Sequence, residues 1–137
     1  MTRLEVWIPI APKGPNRRAS TLQGRIRDVR LERTHATLST RDAMRKRGVK
    51  PFDGPVRIKY ELRRVRLLDE DNAWASLKHY IDGVGRAALL CGDGPKGILL
   101  SELVQVQVAN GLDGLYVMIE QPEAGDARGR PFSGDPV

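Results

Sequence analysis

An apolar stripe at helical spacing is the feature that most restricts how this chain can fold. Apolar residues recur at intervals of three and four, which predicts an amphipathic helix over residues 72 to about 90. The members of the stripe are Trp74, Leu77, Ile81, Val84 and Ala88. The segments on both sides of this helix have alternating apolar residues instead, which is the pattern of strands.

Alternation predicts four strands. The first covers residues 3–10, with Leu4, Val6, Ile8 and Ile10 on one face, and the second covers residues 56–68. Two more lie near residues 98–109 and 115–121, and "NGLDG" is predicted to be the turn between them. In the second strand the apolar positions change from even to odd numbers, which predicts a β-bulge near Arg63 and Arg64.

A second helical region precedes the second strand. It is rich in helix-forming residues from about Arg27 to Arg47, and Gly48 is a natural stop. The "STRD" sequence at Ser39 resembles a helix start, so this region is expected to form either two helices or one bent helix. The predicted fold class is therefore α+β (an α/β two-layer arrangement), a small mixed sheet of about four strands with helices packed on it.

Length and composition predict one domain. The 137 residues suit a single core, assigned to residues 1–121, while residues 122–137 are rich in Pro, Gly and charge and are expected to be disordered. No apolar run approaches the roughly 18 residues that span a bilayer, so no membrane association is expected. The single Cys91 excludes an internal disulfide framework and a multi-cysteine zinc site. A cytoplasmic location is the expectation.

Positive charge is concentrated in one segment. The chain carries +6 in total, but residues 13–50 contain twelve basic and three acidic residues, a net charge of +9. Most of the basic residues are arginines, which suit bidentate phosphate contacts. This clustering favours a nucleic-acid partner, and a solvated helix face is the alternative. The residues predicted to bind nucleic acid are Lys13, Arg17, Arg18, Arg25 and Arg27.

Carboxylates cluster where the second strand is predicted to end. Asp69 and Asp71 stand at positions i and i+2 of an extended chain, so their side chains are expected to leave the same face. Together with Asp93 from the following loop they form three hard oxygen donors, a set that suits Mg²⁺ or Mn²⁺. Two structural alternatives remain open. Asp71 or Asn72 could cap the helix, and Lys78 could form a surface ion pair with Asp82.

The segment "LDEDNAWASLKHYIDGVGRAALLCGD" resembles the RusA-like endonuclease family, the Holliday junction resolvases common on prophages. The signature of that family is Asp-x-Asp-Asn at a strand end, a lysine and an aspartate in the next helix, and an aspartate after it. In this sequence the matching residues are Asp69, Asp71, Asn72, Lys78, Asp82 and Asp93. Two positions depart from the family pattern. The lysine comes three residues later, since Ala75 occupies its usual place, and Gly92 precedes a single terminal aspartate.

The resemblance implies a Mg²⁺-dependent endodeoxyribonuclease that resolves four-way DNA junctions in recombination and repair, with Mn²⁺ as a possible substitute. It implies that Asp69, Asp71 and Asp93 bind the metal and that Lys78 contacts the scissile phosphate. Asn72 and Asp82 are expected to support the site, Asp82 as a further ligand or by orienting Lys78. It also implies a homodimer, whose two-fold symmetry matches that of the junction.

Two other functions remain open. A basic nucleic-acid-binding protein without nuclease activity would use the arginines and need no divalent metal. A nucleotide-binding enzyme is suggested by "GDGPKG", but this loop lacks the spacing of a phosphate-binding P-loop. Cys91 has no visible base partner, so no nucleophilic role is assigned to it.

Overall fold

The computed structural model of the chain describes residues 2–9, 21–90 and 97–122. The elements are β1 (Thr2–Ile8), α1 (Leu22–Arg47), β2 (Val56–Arg64), α2 (Glu70–Ala88), β3 (Ile98–Gln107) and β4 (Gly114–Gln121). This order and the four-stranded mixed sheet confirm the predicted α+β class. The predicted loop at residues 11–18 and almost all of the tail lie outside the described residues, as does the loop after α2 apart from Gly97.

The strand order is β1-β4-β2-β3, and the predicted turn at "NGLDG" is confirmed, although it connects two strands that do not pair. β4 runs antiparallel to both of its neighbours, whereas β2 and β3 are parallel and are joined through α2. "NGLDG" is therefore not the turn of a β3–β4 hairpin, because β2 lies between these two strands. The burial of the strands explains the order. β4 is buried on both faces, with Met118 at 6% and Ile119 at 0% exposure, so it occupies an interior position.

Both helices cover the same face of the sheet. The predicted apolar faces of β1 and β2 are confirmed, because each of their even-numbered apolar residues is at most 1% exposed. β4 continues the face between them in register, so that Leu4, Ile119 and Ile58 lie side by side. These residues form one hydrophobic core with the predicted stripe of α2, in which Leu77, Val84 and Ala88 are buried and Trp74 and Ile81 are partly buried.

β2 is shorter than predicted, and no bulge lies at its end. The strand ends at Arg64, and its only register shift relative to β3 lies between Val56 and Arg57. Val65 and Leu67 are 38% and 52% exposed, so the change from even to odd positions marks the end of the strand. Beyond it the amide group of the Gln105 side chain donates to Leu68 O at 2.7 Å and accepts from Leu68 N at 2.9 Å. These two bonds hold the backbone that leads into α2.

α1 is one continuous helix rather than two. Thr21 caps its start, where Oγ1 accepts a hydrogen bond from Gly24 N at 3.0 Å, and "STRD" lies in its interior. The predicted stop is confirmed, because Gly48 adopts a left-handed conformation with φ of 65°.

α1 crosses α2 at Gly83. A side chain at this position would overlap the Arg33 carbonyl oxygen and Ala36 Cβ, so glycine permits the close approach. Thr37 Oγ1 donates across the crossing to Gly83 O at 3.1 Å. The last turns of α2 are therefore held against the middle of α1.

Candidate active site and nucleic-acid interface

The carboxylate cluster lies at the start of α2, which begins two residues earlier than predicted. Asp69 is the N-cap, with φ of −59° and ψ of 151°, and its carbonyl oxygen accepts the first helical hydrogen bond from Ala73 N at 2.8 Å. Glu70 and Asp71 follow in the first turn, so the prediction that Asp71 or Asn72 is the cap is wrong. Carboxylates are favoured here because the amide dipoles of a helix place partial positive charge at its N-terminus.

The two predicted metal ligands of this cluster have no protein partner. Asp69 makes no side-chain capping bond, and both Asp69 and Asp71 are exposed. Within the described residues neither side chain makes a hydrogen bond or an ion pair. The predicted strand-end geometry does not hold, since Asp69 is extended whereas Asp71 is helical. Both carboxylates nevertheless leave the same short stretch of backbone with their oxygen atoms available.

The third predicted ligand, Asp93, lies outside the described residues. Among the residues that the structure does describe, no group of three His, Cys, Asp or Glu side chains is placed to hold a metal ion. The two free carboxylates still fit Mg²⁺, which proteins commonly bind through one or two carboxylates while the ion keeps several waters. The full set of three remains a prediction.

Lys78 lies on the same side of α2 as Asp71. Seven residues separate them, which corresponds to a rise of about 10 Å along the helix and a rotation within about 20° of two full turns. The Lys78 side chain is exposed, and within the described residues it makes no ion pair with Asp82. A lysine in this position can extend toward an anion held beside Asp71.

Asp82 contacts α1 instead of the predicted partners. Its carboxylate forms an ion pair with Arg33, with Nη2 and Oδ2 3.6 Å apart. It lies eleven residues beyond Asp71, a rise of about 16 Å, so the two carboxylates cannot share one metal ion. Asn72 is exposed in the first turn of α2, where its role in the site stays a prediction.

A basic cleft lies where the two helices cross. It has a volume of about 440 Å³ and is lined by Arg30, Arg33, Thr34, Thr37, Leu38, Arg41 and Arg86. Four arginines therefore line one cleft, and three of them come from the predicted basic segment. Arg86 was not among the predicted site residues. Its spacing of four residues after Asp82 places it on the same side of α2, but only the crossing at Gly83 brings it to the arginines of α1.

The other predicted nucleic-acid-binding residues are partly described. Arg25 and Arg27 are exposed on the first two turns of α1, whereas Lys13, Arg17 and Arg18 lie outside the described residues. The exposed positions of Arg25 and Arg27 are compatible with phosphate contacts, and their role stays a prediction.

The sheet face opposite the helices carries aromatic and charged residues in pairs. Arg63 donates to Glu61 at 2.7 Å, and its guanidinium lies 5.3 Å from the centre of the Trp7 ring and 5.7 Å from that of Tyr116. Burial raises the pKa of Tyr116 to about 12, and a hydrogen bond with Glu5 adds to this effect. The charges that flank these rings are paired within the sheet, whereas Asp71, Lys78 and Arg86 of α2 have no ion-pair partner among the described residues.

Comparison with known proteins yields no match, either to the model of a protein family or to a curated protein. The resemblance to RusA-like endonucleases therefore depends on the motif residues alone. No helix in the described part of the chain is long and apolar enough to cross a membrane.

Proposed function

We propose that the chain is a Mg²⁺-dependent endodeoxyribonuclease that resolves four-way DNA junctions by hydrolysing phosphodiester bonds. The observation that supports this most is the pair of unpartnered carboxylates, Asp69 and Asp71, at the exposed start of α2. Within the described residues neither side chain forms a capping hydrogen bond or an ion pair, so both carboxylates are available to a metal ion. The four-way junction as substrate comes from the RusA-like motif.

The residues have separate tasks in this proposal. Asp69, Asp71 and Asp93 bind Mg²⁺, which when bound supplies an activated water and stabilises the leaving oxygen. Lys78 neutralises the scissile phosphate from the next turns of α2. Arg25 and Arg27 at the start of α1, with Lys13, Arg17 and Arg18 before it in sequence, supply affinity for the DNA backbone that does not depend on base sequence.

A homodimer is part of the proposal. A four-way junction is close to two-fold symmetric, and its resolution needs one cut in each of two opposed strands. Two identical active sites related by a C₂ axis match this requirement. Light scattering with and without junction DNA tests the assembly, and a monomer under both conditions would contradict it.

A second candidate is a basic nucleic-acid-binding protein without nuclease activity. It is favoured by the arginine cleft, which needs no metal to bind phosphate.

One experiment separates these two functions. A labelled four-way junction is incubated with the protein in Mg²⁺ or in chelator, and a linear duplex of the same length is the control. The nuclease proposal expects paired symmetric cuts near the branch point of the junction in Mg²⁺ alone. Binding without cutting in both conditions would leave the second candidate.

A further inference from the structure

We propose that the cleft between α1 and α2 binds the phosphate backbone of a DNA arm about six or seven base pairs from the cutting site. The proposal rests on the proposed function, because it takes Asp71 as the position of the cut. It extends that function by assigning DNA binding to Arg30, Arg41 and Arg86, none of which was predicted to bind DNA.

The charges in the cleft are not balanced by the protein. Asp82 is its neighbouring carboxylate, and this residue is paired with Arg33. Arg30, Arg41 and Arg86 are exposed and make no ion pair or hydrogen bond within the described residues. Unpaired guanidinium groups that line one cleft attract an anion, and Arg30 and Arg41, about 16 Å apart along α1, suit an anion whose charges repeat along its length. The planar fork of arginine matches phosphate oxygens in pairs, so a phosphodiester is the ligand that fits.

The position of the cleft along α2 suggests an extended ligand rather than a small anion. Asp71, Lys78, Asp82 and Arg86 follow one side of the helix, since their spacings of seven, four and four residues keep them within about 80° of one another. Asp71 and Arg86 are fifteen residues apart, a distance of about 22 Å along the axis. Duplex DNA rises 3.4 Å per base pair, so this distance corresponds to about six or seven base pairs.

The hydroxyl groups at the cleft support the same ligand. Thr34 lies among the arginines, and its exposed hydroxyl is able to donate to a phosphate oxygen. The hydroxyl of Thr37 is already committed to the carbonyl oxygens of Arg33 at 2.8 Å and Gly83 at 3.1 Å. Thr37 therefore shapes the floor of the cleft, while Thr34 and the arginines remain available for DNA.

The test measures junction affinity in chelator, so that no DNA is cut. Fluorescence anisotropy compares the natural chain with the double variant Arg41→Gln/Arg86→Gln. The matched control, Arg47→Gln/Lys50→Gln, removes the same charge from two exposed residues outside the cleft. Each lost phosphate contact lowers affinity about 8-fold at 0.1 M salt, so we expect a loss of about 60-fold for the cleft variant. The slope of log affinity against log salt should become shallower by about 1.8.

The control is expected to change affinity much less. Equal losses in the two double variants would overturn the proposal, because they would show that only total charge matters. Thr34→Glu is a second variant that removes no arginine and places a carboxylate in the cleft. It should weaken binding at least 10-fold, and unchanged binding would also count against the cleft. Circular dichroism checks that each variant is folded.

The distance is tested by neutral linkages in the DNA. Methylphosphonates placed six or seven base pairs from the bond that the natural chain cuts in Mg²⁺ should weaken binding of that chain. They should have little effect on Arg41→Gln/Arg86→Gln, because that variant has already lost the contact. Equal weakening of both proteins would contradict the assigned position.

Failure of the cleft and failure of the nuclease proposal give different results. If the natural chain cuts junctions in Mg²⁺ but the cleft variants bind DNA normally, the nuclease proposal stands and the assignment of DNA binding to the cleft is wrong. If the natural chain never cuts junctions but its DNA affinity falls in the cleft variants, the assignment of DNA binding to the cleft stands and the nuclease proposal is wrong.

Discussion

The exposed side of α2 and the open face of the sheet are both rich in charge, but the charges are used differently. On the sheet, Arg3 lies 3.2 Å from Glu5, and Arg63 contacts Glu61 and two aromatic rings. On α2, Asp71, Lys78 and Arg86 have no ion-pair partner within the described residues. Charges that are compensated inside the protein contribute to its fold, whereas charges left uncompensated are available to a ligand. The difference supports the proposal that DNA is bound and cut along α2.

The largest expected effect is at the start of α2. Asp69→Asn or Asp71→Asn should reduce the single-turnover cleavage rate by about 10³-fold or more, because each removes a carboxylate needed to hold the metal. DNA affinity should be unchanged or higher, since a negative charge near phosphate is lost. Glu70→Gln is the matched control, as it removes an equally exposed carboxylate from the same turn. A similar rate loss in Glu70→Gln would show that general charge, and not a metal site, is responsible.

Lys78 is expected to have the next largest effect. Lys78→Ala should slow cleavage by about 10²-fold, because charge stabilisation of the scissile phosphate is lost. Lys50→Ala, which removes an exposed lysine far from α2 in sequence, should leave the single-turnover rate unchanged. If Lys78 only lies on a solvated helix face, Lys78→Ala will keep its activity and change the free energy of unfolding by at most about 0.5 kcal/mol.

Gly83 is expected to affect stability, because it sets the distance between the helices. Gly83→Ala would place Cβ against the Arg33 carbonyl oxygen and Ala36 Cβ, so the free energy of unfolding should fall by about 1–3 kcal/mol. Gly85→Ala is the matched control, since its Cβ would meet only Leu89 Cδ1 at 3.9 Å. That substitution should raise stability by about 0.5–1 kcal/mol through helix propensity. Urea unfolding of both variants measures the difference, and equal effects would contradict the close crossing.

The smallest expected effect is on the open face of the sheet and depends on pH. Because the pKa of Tyr116 is raised to about 12, an unfolded chain loses this proton near pH 10 while the folded chain keeps it. The unfolded state then binds fewer protons, so stability falls as pH rises from about 10 to 12. The Tyr116→Phe variant should lack this pH-dependent fall in the free energy of unfolding. The fall is below about 1 kcal/mol, because the ring is partly exposed to solvent. Urea unfolding at pH 9 and 11 tests it, and an equal fall in both proteins would contradict the shift.

Local patterns in the sequence predicted much of the fold. The apolar faces of β1 and β2 and the stripe of α2 follow from periodicity, because burial of one face needs only a regular spacing of apolar residues. The turn between β3 and β4 was predicted from its residues, but the separation of these two strands by β2 was not. Gly and Asn indicate a turn, but strand pairing depends on which strand is buried on both faces, and that is β4.

The site was predicted less completely than the fold. Asp69 and Asp71 were assigned as metal ligands from their spacing and the motif, and this assignment stays a prediction. The start of α2 was misplaced, because aspartate at either position could have served as the cap. The pairing of Asp82 with Arg33 and the convergence of Arg86 with α1 could not be predicted. Both depend on the crossing at Gly83, which joins residues about fifty positions apart in the chain.

The central claim is that the start of α2 contributes to cutting DNA, whereas its end contributes, with α1, to binding DNA. The most direct test measures junction affinity in chelator and the single-turnover cleavage rate in Mg²⁺ for the natural chain, Asp71→Asn and Arg41→Gln/Arg86→Gln. We expect Asp71→Asn to bind the junction as well as the natural chain and not to cut it. We expect the arginine variant to bind the junction about 60-fold more weakly. At protein concentrations that saturate the junction, this variant should cut it at nearly the natural rate. Parallel loss of binding and cutting in both variants would contradict the claim.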